Sequence, residues 1–290
     1  MWDAWQKQSL EWLEQLDQKS ARSTKRPDPL RKIAATLEPT RKVVYKKIGE
    51  RDLHLHIFDP AGLQPKDRRP CFITIHGGGW SGGEPRRMYP FADHYAQLGM
   101  VGISLEYRLL SQKRGTTVFD CVKDGRSALR YVRSHAGALG IDPDKIVVSG
   151  ASAGGHVALA TALFDGVDEA GESVNISCVP NAMIPLFPVI DTSEAGYGNA
   201  KIGDRWQELS PVDHVRSNLP PTLLFHGTGD TVTPFPGALS FRNAMLKAGN
   251  ECELDVHPDG KHGYLMFDHD LYLDTLRKTD AFLKAHGLLQ

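Results

Sequence analysis

From residue 41 onward the order of apolar and polar positions changes character several times, and each change marks an element. Val43-Val44-Tyr45, Leu53-His54-Leu55-His56-Ile57 and Cys71-Phe72-Ile73-Thr74-Ile75 are short runs separated by turn residues, and they predict three strands. Beyond Gly99 the patterns alternate: a strand over 101–106, a helix over 118–136, a strand over 145–149 and a helix over 155–163. An apolar run over 183–190 follows, then a glycine-rich polar stretch to Trp206, strands over 219–226 and 251–257, and a closing helix over 268–286. This alternation predicts an α/β fold, a mainly parallel central sheet with helices on both faces.

Ahead of this pattern, Trp2, Trp5, Trp12, Leu13 and Leu16 recur at helical spacing before the Pro27-Asp28-Pro29 break. The expectation is an N-terminal helical arm over 1–40, packed on its own chain in preference to a partner, and a catalytic domain over 41–290. Charges and glutamines interrupt the start of the chain, so it does not read as a secretory signal. That predicts a cytoplasmic protein, or a secreted or periplasmic one whose signal has already been removed. No apolar run approaches the ~20 residues of a membrane span.

Composition narrows the partners. With 34 basic and 35 acidic residues the net charge is -1, which carries no electrostatic footprint for nucleic acid or an anionic membrane and suits a small neutral substrate. Cys71, Cys121, Cys178 and Cys252 form no CxxC pair and are expected to be buried free thiols. His54 and His56 share a strand face without a third ligand nearby, so no metal or other cofactor is expected.

The chemistry concentrates in two segments. Gly150-Ala151-Ser152-Ala153-Gly154 is a G-x-S-x-G run between the apolar strand ending at Ser149 and a helical pattern, the context of a nucleophile elbow. Such a turn strains the serine backbone, brings neighbouring segments close at the glycines, and points the Ala153 N–H at a developing oxyanion beside a helix N-terminus. Upstream, the strand at Ile73-Thr74-Ile75 runs into His76-Gly77-Gly78-Gly79-Trp80, where glycine N–H groups can turn toward a ligand unobstructed. Neither a phosphate loop nor a dinucleotide fingerprint fits that spacing.

A serine needs a base, and neutral histidine serves because its ordinary pKa of ~6.5 lies near working pH. With a G-x-S-x-G elbow the order of an α/β-hydrolase is Ser, then Asp or Glu, then His. His262, in the glycine-flanked loop after the last predicted strand, is the base by that order, with His257 and His269 as weaker alternatives and His156 read as a neighbour of the site. Asp230, in His226-Gly227-Thr228-Gly229-Asp230, is preferred as the acid over Asp191 and Asp213 because it ends the strand before the histidine-bearing one.

Taken together these residues resemble the α/β-hydrolase superfamily from about Val43 to the C-terminus. More narrowly they resemble the hormone-sensitive lipase-like carboxylesterases and the acetyl xylan and feruloyl esterases. The resemblance implies a serine carboxylesterase with the triad Ser152, Asp230 and His262, and with oxyanion donors at Gly78, Gly79 and Ala153. The lipase-like branch commonly has Asp before the nucleophile, whereas Ala151 stands here. That departure, with Glu106-Tyr107-Arg108-Leu109 and Gly140-Ile141-Asp142-Pro143-Asp144, is more similar to the carbohydrate-esterase branch and implies acetyl or other short-acyl esters, plausibly on carbohydrate. Asp124 and Arg133 also match, in structural roles. Trp80, Tyr197 and Trp206 are expected in the substrate pocket, and 192–209 as a lid or pocket wall. The rival readings are an amidase, formamidase or feruloyl esterase on the same scaffold, a non-catalytic binding protein on a hydrolase scaffold, a kind that usually lacks one of the triad residues present here, and a metal site among His257, Asp259, His262, Asp268 and His269.

Overall fold

A computed structural model describes residues 28–290. The helical arm expected from the tryptophans of 2–16 lies outside the described residues.

Eight strands form one sheet in the order β1-β2-β4-β3-β5-β6-β7-β8. β2 (Arg51–Phe58) runs antiparallel to both its neighbours, β1 (Arg41–Ile48) and β4 (Val101–Leu105), and from β4 onward every pairing is parallel: β3 (Arg69–Ile75), β5 (Ile141–Ala151), β6 (Ala182–Leu186), β7 (Thr222–Gly227) and β8 (Cys252–His257). The parallel strands must be covered on both faces, and their burial follows: β4 and β6 have no exposed residue. This is the mainly parallel sheet expected from the alternating pattern, and the α/β-hydrolase architecture that the resemblance implied.

Helices α3 (Val118–Ser134) and α5 (Ala153–Leu163) match the expected ones to within two residues, α8 (His269–Ala285) closes the chain as anticipated, and α4 (Ala136–Leu139) and α6 (Asn199–Ile202) are single turns. Two others were not legible. α2 (Tyr89–Gln97) and α7 (Phe235–Lys247) both carry proline in the first turn, where its missing N–H costs nothing. Read along the sequence, the same prolines look like breaks. α1 (Pro29–Thr36) starts at the Asp28 side chain, which accepts from the Arg31 N–H at 2.9 Å, and buries Leu30, Ile33 and Ala34. An ion pair between Asp28 and Arg87, at 2.8 Å, holds it to the segment before α2.

One polar cluster sits inside this apolar frame. Asp124 on α3 is fully buried and accepts from the Arg108 N–H at 2.8 Å, from the Arg108 guanidinium at 2.8 and 2.9 Å, and from the Lys46 ammonium at 2.8 Å. Arg108 and Lys46 also share Glu169. The cluster fixes the chain just beyond β4, so that the Tyr107 hydroxyl donates to the His76 carbonyl at 3.0 Å while its ring stacks on the His76 imidazole. The glycine loop after β3 is thereby seated from below. Arg133 has the structural task anticipated for it, donating to the Pro143 and Val179 carbonyls. The four cysteines are free and buried.

Removing the Asp124 carboxylate would leave the buried Arg108 and Lys46 cations to the more exposed Glu169 that they share, a loss on the order of 3 kcal/mol. Asp124→Ala should therefore lower the urea midpoint markedly, and an unchanged midpoint would contradict this account.

His76 and His156 give a second expectation. Burial pushes both down to about 4, against a partial opposing pull from their bonds to the Gly77 and Leu209 carbonyls. Unfolded, each titrates near 6.5, so the unfolded chain binds protons first. Their contribution, up to ~3 kcal/mol each, is complete above about pH 6.5 and drains away as pH falls toward 4. His286, raised because its bonds to the Phe282 carbonyl and Glu251 outweigh burial, opposes this from a partly exposed position. The melting temperature should drop between pH 7 and pH 5, and a flat profile would count against it.

Candidate active site

Ser152 is the last residue before α5 and has φ 55° and ψ -120°. An L-residue holds such a backbone only where the surroundings enforce it. Here they do. The Ser152 N–H donates to the Leu186 carbonyl at 2.9 Å, and its own carbonyl accepts from the Val189 N–H at 3.2 Å. The turn closes because Gly154 lacks a side chain: a Cβ there would lie 2.2 Å from the Ile75 carbonyl oxygen and 2.4 Å from that of His76. The elbow and the glycine loop thus touch directly.

His262 arrives from the loop after β8. Its Nε2 lies 2.9 Å from Ser152 Oγ and its Nδ1 lies 2.8 Å from Asp230 Oδ2. A carboxylate accepts, so Nδ1 carries the proton and Nε2 presents a lone pair to the serine. The acid and base loops are tied to each other: the Thr228 N–H donates to the His257 carbonyl at 3.0 Å, and the Asp259 N–H to the Thr228 hydroxyl at 2.8 Å. The structure brings the three expected residues together and leaves the alternatives apart. His257 stacks on Tyr264 at 4.7 Å, His269 begins α8, and His156 donates to the Leu209 carbonyl.

Asp230 is held as a carboxylate. Burial alone would raise its pKa, but the His262 contact and the N–H groups of Thr233 and Val232 outweigh burial and bring it below the ordinary range. Those N–H groups donate to Oδ1 at 2.9 and 2.8 Å, and the Thr233 hydroxyl donates to Oδ2 at 2.9 Å. These donors reach the carboxylate only when the turn after Asp230 folds back, so no sequence pattern marks them.

Across from the base, Gly78 has φ +123° and Gly79 φ +57°. Among the described residues neither N–H donates to a protein acceptor. Ala153, the third expected donor, is the first residue of α5, where an N–H has no partner within its own helix. All three belong to the two segments that meet at Gly154.

A cavity of about 590 Å³ opens beside this arrangement. Gly77, Gly78, Ala151 and His262 form its reactive end, and Phe187, Met88, Met266 and Phe267 its apolar wall. Asp28, Arg31, Glu84 and Arg87 add a charged edge, which the sequence reading missed by taking Asp28 for part of a break. Phe187, also missed, has φ 36° and sets its ring edge-on to His262 at 5.1 Å.

Trp80, Tyr197 and Trp206 were expected in this wall and lie elsewhere. Trp80 is fully buried, its ring against His156 and Tyr197. Trp206 lines a separate open hollow with Asn199 and Asp204. The 192–209 segment braces the outer side of the glycine loop, where Lys201 donates to the Gly79 carbonyl at 3.0 Å and to the Tyr197 hydroxyl at 2.8 Å. Among the described residues no group of three or more acidic, histidine or cysteine side chains could hold a metal ion, and no helix is long and apolar enough to cross a membrane.

The BD-FAE family model matches residues 55–245. The AB hydrolase superfamily protein C1039.03 of Schizosaccharomyces pombe is 41% identical over 265 residues, covering 78% of this chain and 72% of that protein. An acetylxylan esterase of Xylanibacter ruminicola is 28% identical over 211 residues, covering 67% of this chain and 41% of its own length. The chain spans little more than half the length of two Mycobacterium tuberculosis relatives, 57% of the probable carboxylic ester hydrolase LipM and 56% of the esterase LipQ. Among solved structures, the apo form of Thermogutta terrifontis esterase 2 superposes with a TM-score of 0.82 at 40% identity, over 86% of this chain and 96% of that one. That esterase has also been solved with propionate bound, with butyrate bound, and phosphorylated by paraoxon. The chain belongs to the BD-FAE family, among the carboxylic ester hydrolases of the α/β-hydrolase fold.

Proposed function

We propose that the protein hydrolyses short-acyl carboxylic esters through a Ser152 acyl-enzyme, with acetyl esters of carbohydrate as the preferred class. The observation that carries this reading is the 2.9 Å contact between His262 Nε2 and Ser152 Oγ, in a serine held at positive φ. Ser152 Oγ attacks the ester carbonyl as Nε2 takes its proton, and the Asp230 carboxylate stabilises the imidazolium. The N–H groups of Gly78, Gly79 and Ala153 receive the oxyanion. His262 then protonates the departing alcohol, and water repeats the sequence on the acyl-enzyme.

A short acyl group is supported by the propionate and butyrate complexes of the Thermogutta esterase. A hydroxyl-rich alcohol is supported by the acetylxylan esterase relative and by the charged edge of Asp28, Arg31, Glu84 and Arg87. Those side chains offer donors and acceptors that an all-apolar cavity would lack.

Acetate release from acetylated xylan and turnover of 4-nitrophenyl acetate, butyrate and octanoate should be measured beside the triad variants. The short esters should be preferred. Ser152→Ala should lose on the order of 10⁶ in kcat and Asp230→Asn on the order of 10⁴, the magnitudes found when the corresponding groups of serine proteases are removed. Wild-type turnover by Ser152→Ala would overturn the mechanism. Hydrolysis of the chromogenic esters without acetate release would remove the xylan substrate alone, and faster turnover of N-formylkynurenine would replace the esterase with a formamidase.

A further inference from the structure

His226 ends β7 four residues before Asp230, and the mechanism above gives it no task. Its side chain is 1% exposed. Its Nε2 lies 2.7 Å from the Thr233 carbonyl oxygen. A carbonyl only accepts, so Nε2 carries the proton and Nδ1 the lone pair. Burial lowers its pKa against the opposing pull of the Thr233 carbonyl and Asp230, which keeps the ring neutral. Nδ1 has no hydrogen-bond partner, so the Thr233 bond is the ring's polar anchor among the described residues.

That bond closes the turn that contains Asp230. Thr233 in turn gives Asp230 two donors, its N–H to Oδ1 and its hydroxyl to Oδ2, both at 2.9 Å. The His226 Nε2 also faces Asp230 Oδ2 directly, at 3.6 Å. Without the His226 donor, the Thr233 carbonyl would be left buried and unpaired, and the turn could satisfy it only by moving.

We infer that His226 is a positioning residue for the triad, its Nε2–H holding the Thr233 carbonyl so that Thr233 presents both donors to the Asp230 carboxylate. The inference rests on the assignment of Asp230 as the acid. Replacing the ring by apolar bulk should therefore disturb the Asp230–His262 pair without touching substrate. The consequence is a loss in kcat with little change in KM.

Three variants test it in the full chain: His226→Leu has no donor, His226→Asn places its amide nitrogen near the Nδ1 position, and His226→Gln places it near Nε2. With 4-nitrophenyl acetate, the Leu and Asn variants should lose roughly ten- to hundred-fold in kcat, with KM within about twofold of wild type. The Gln variant should recover most of that loss. The downfield proton resonance of His262 Nδ1–H should weaken in the Leu and Asn variants and persist in Gln. If Leu fails to fold, as its melting curve would show, the Gln and Asn pair decides. Equal kcat in those two variants, at either level, would overturn the inference, as would wild-type kcat in a folded Leu variant. Ser152→Ala separates the two readings: if it abolishes turnover and His226→Leu does not reduce it, only the role of His226 falls. If Ser152→Ala stays active, the assignment beneath it falls.

Discussion

The contact on which the site depends is the 2.8 Å bond between Asp230 Oδ2 and His262 Nδ1. It decides where the imidazole proton sits and hence which nitrogen can act as a base. Without it the ring could present either edge to Ser152, and the 2.9 Å approach of Nε2 would carry no directional meaning. The rest of the acid loop serves this bond. Two N–H groups and one hydroxyl hold the carboxylate charged in a buried place, and the Thr228 links bind that loop to the one carrying His262.

A steric constraint completes the other half. The serine elbow and the glycine loop come so close that a side chain at Gly154 would overlap two carbonyl groups of the neighbouring segment. Close approach places the Ala153 N–H and the glycine N–H groups on adjoining backbone. The buried Asp124 cluster acts on this region through Arg108 and Tyr107, which fix His76 at the head of the glycine loop. Charge pairing far from the serine is therefore mechanically connected to the loop that would receive the oxyanion.

Much of this was legible in the sequence wherever the backbone itself demands particular residues. Gly154 and Gly78 stand where no other residue fits, and the alternation of strands and helices follows from burial on both faces of a parallel sheet. What was illegible arises from folding back. Thr233 meets Asp230 only through the turn between them, and Phe187 reaches His262 only because a strand end bends at positive φ. The aromatic residues misled for a related reason. Trp80 follows the glycines and looks available for substrate, but its own φ of 62° turns it into the core against His156. The prolines that open α2 and α7 carry the same ambiguity, since a first-turn proline and a break are written with the same letter.

The central claim is that Ser152 is a nucleophile activated by His262, and covalent labelling tests it most directly. The protein should be incubated with paraoxon and the modified peptide mapped by mass spectrometry. The account predicts one diethylphosphoryl group per chain, carried by Ser152, formed with stoichiometric release of 4-nitrophenol and much more slowly in His262→Ala. A label on another residue, or no label on folded protein, would contradict it.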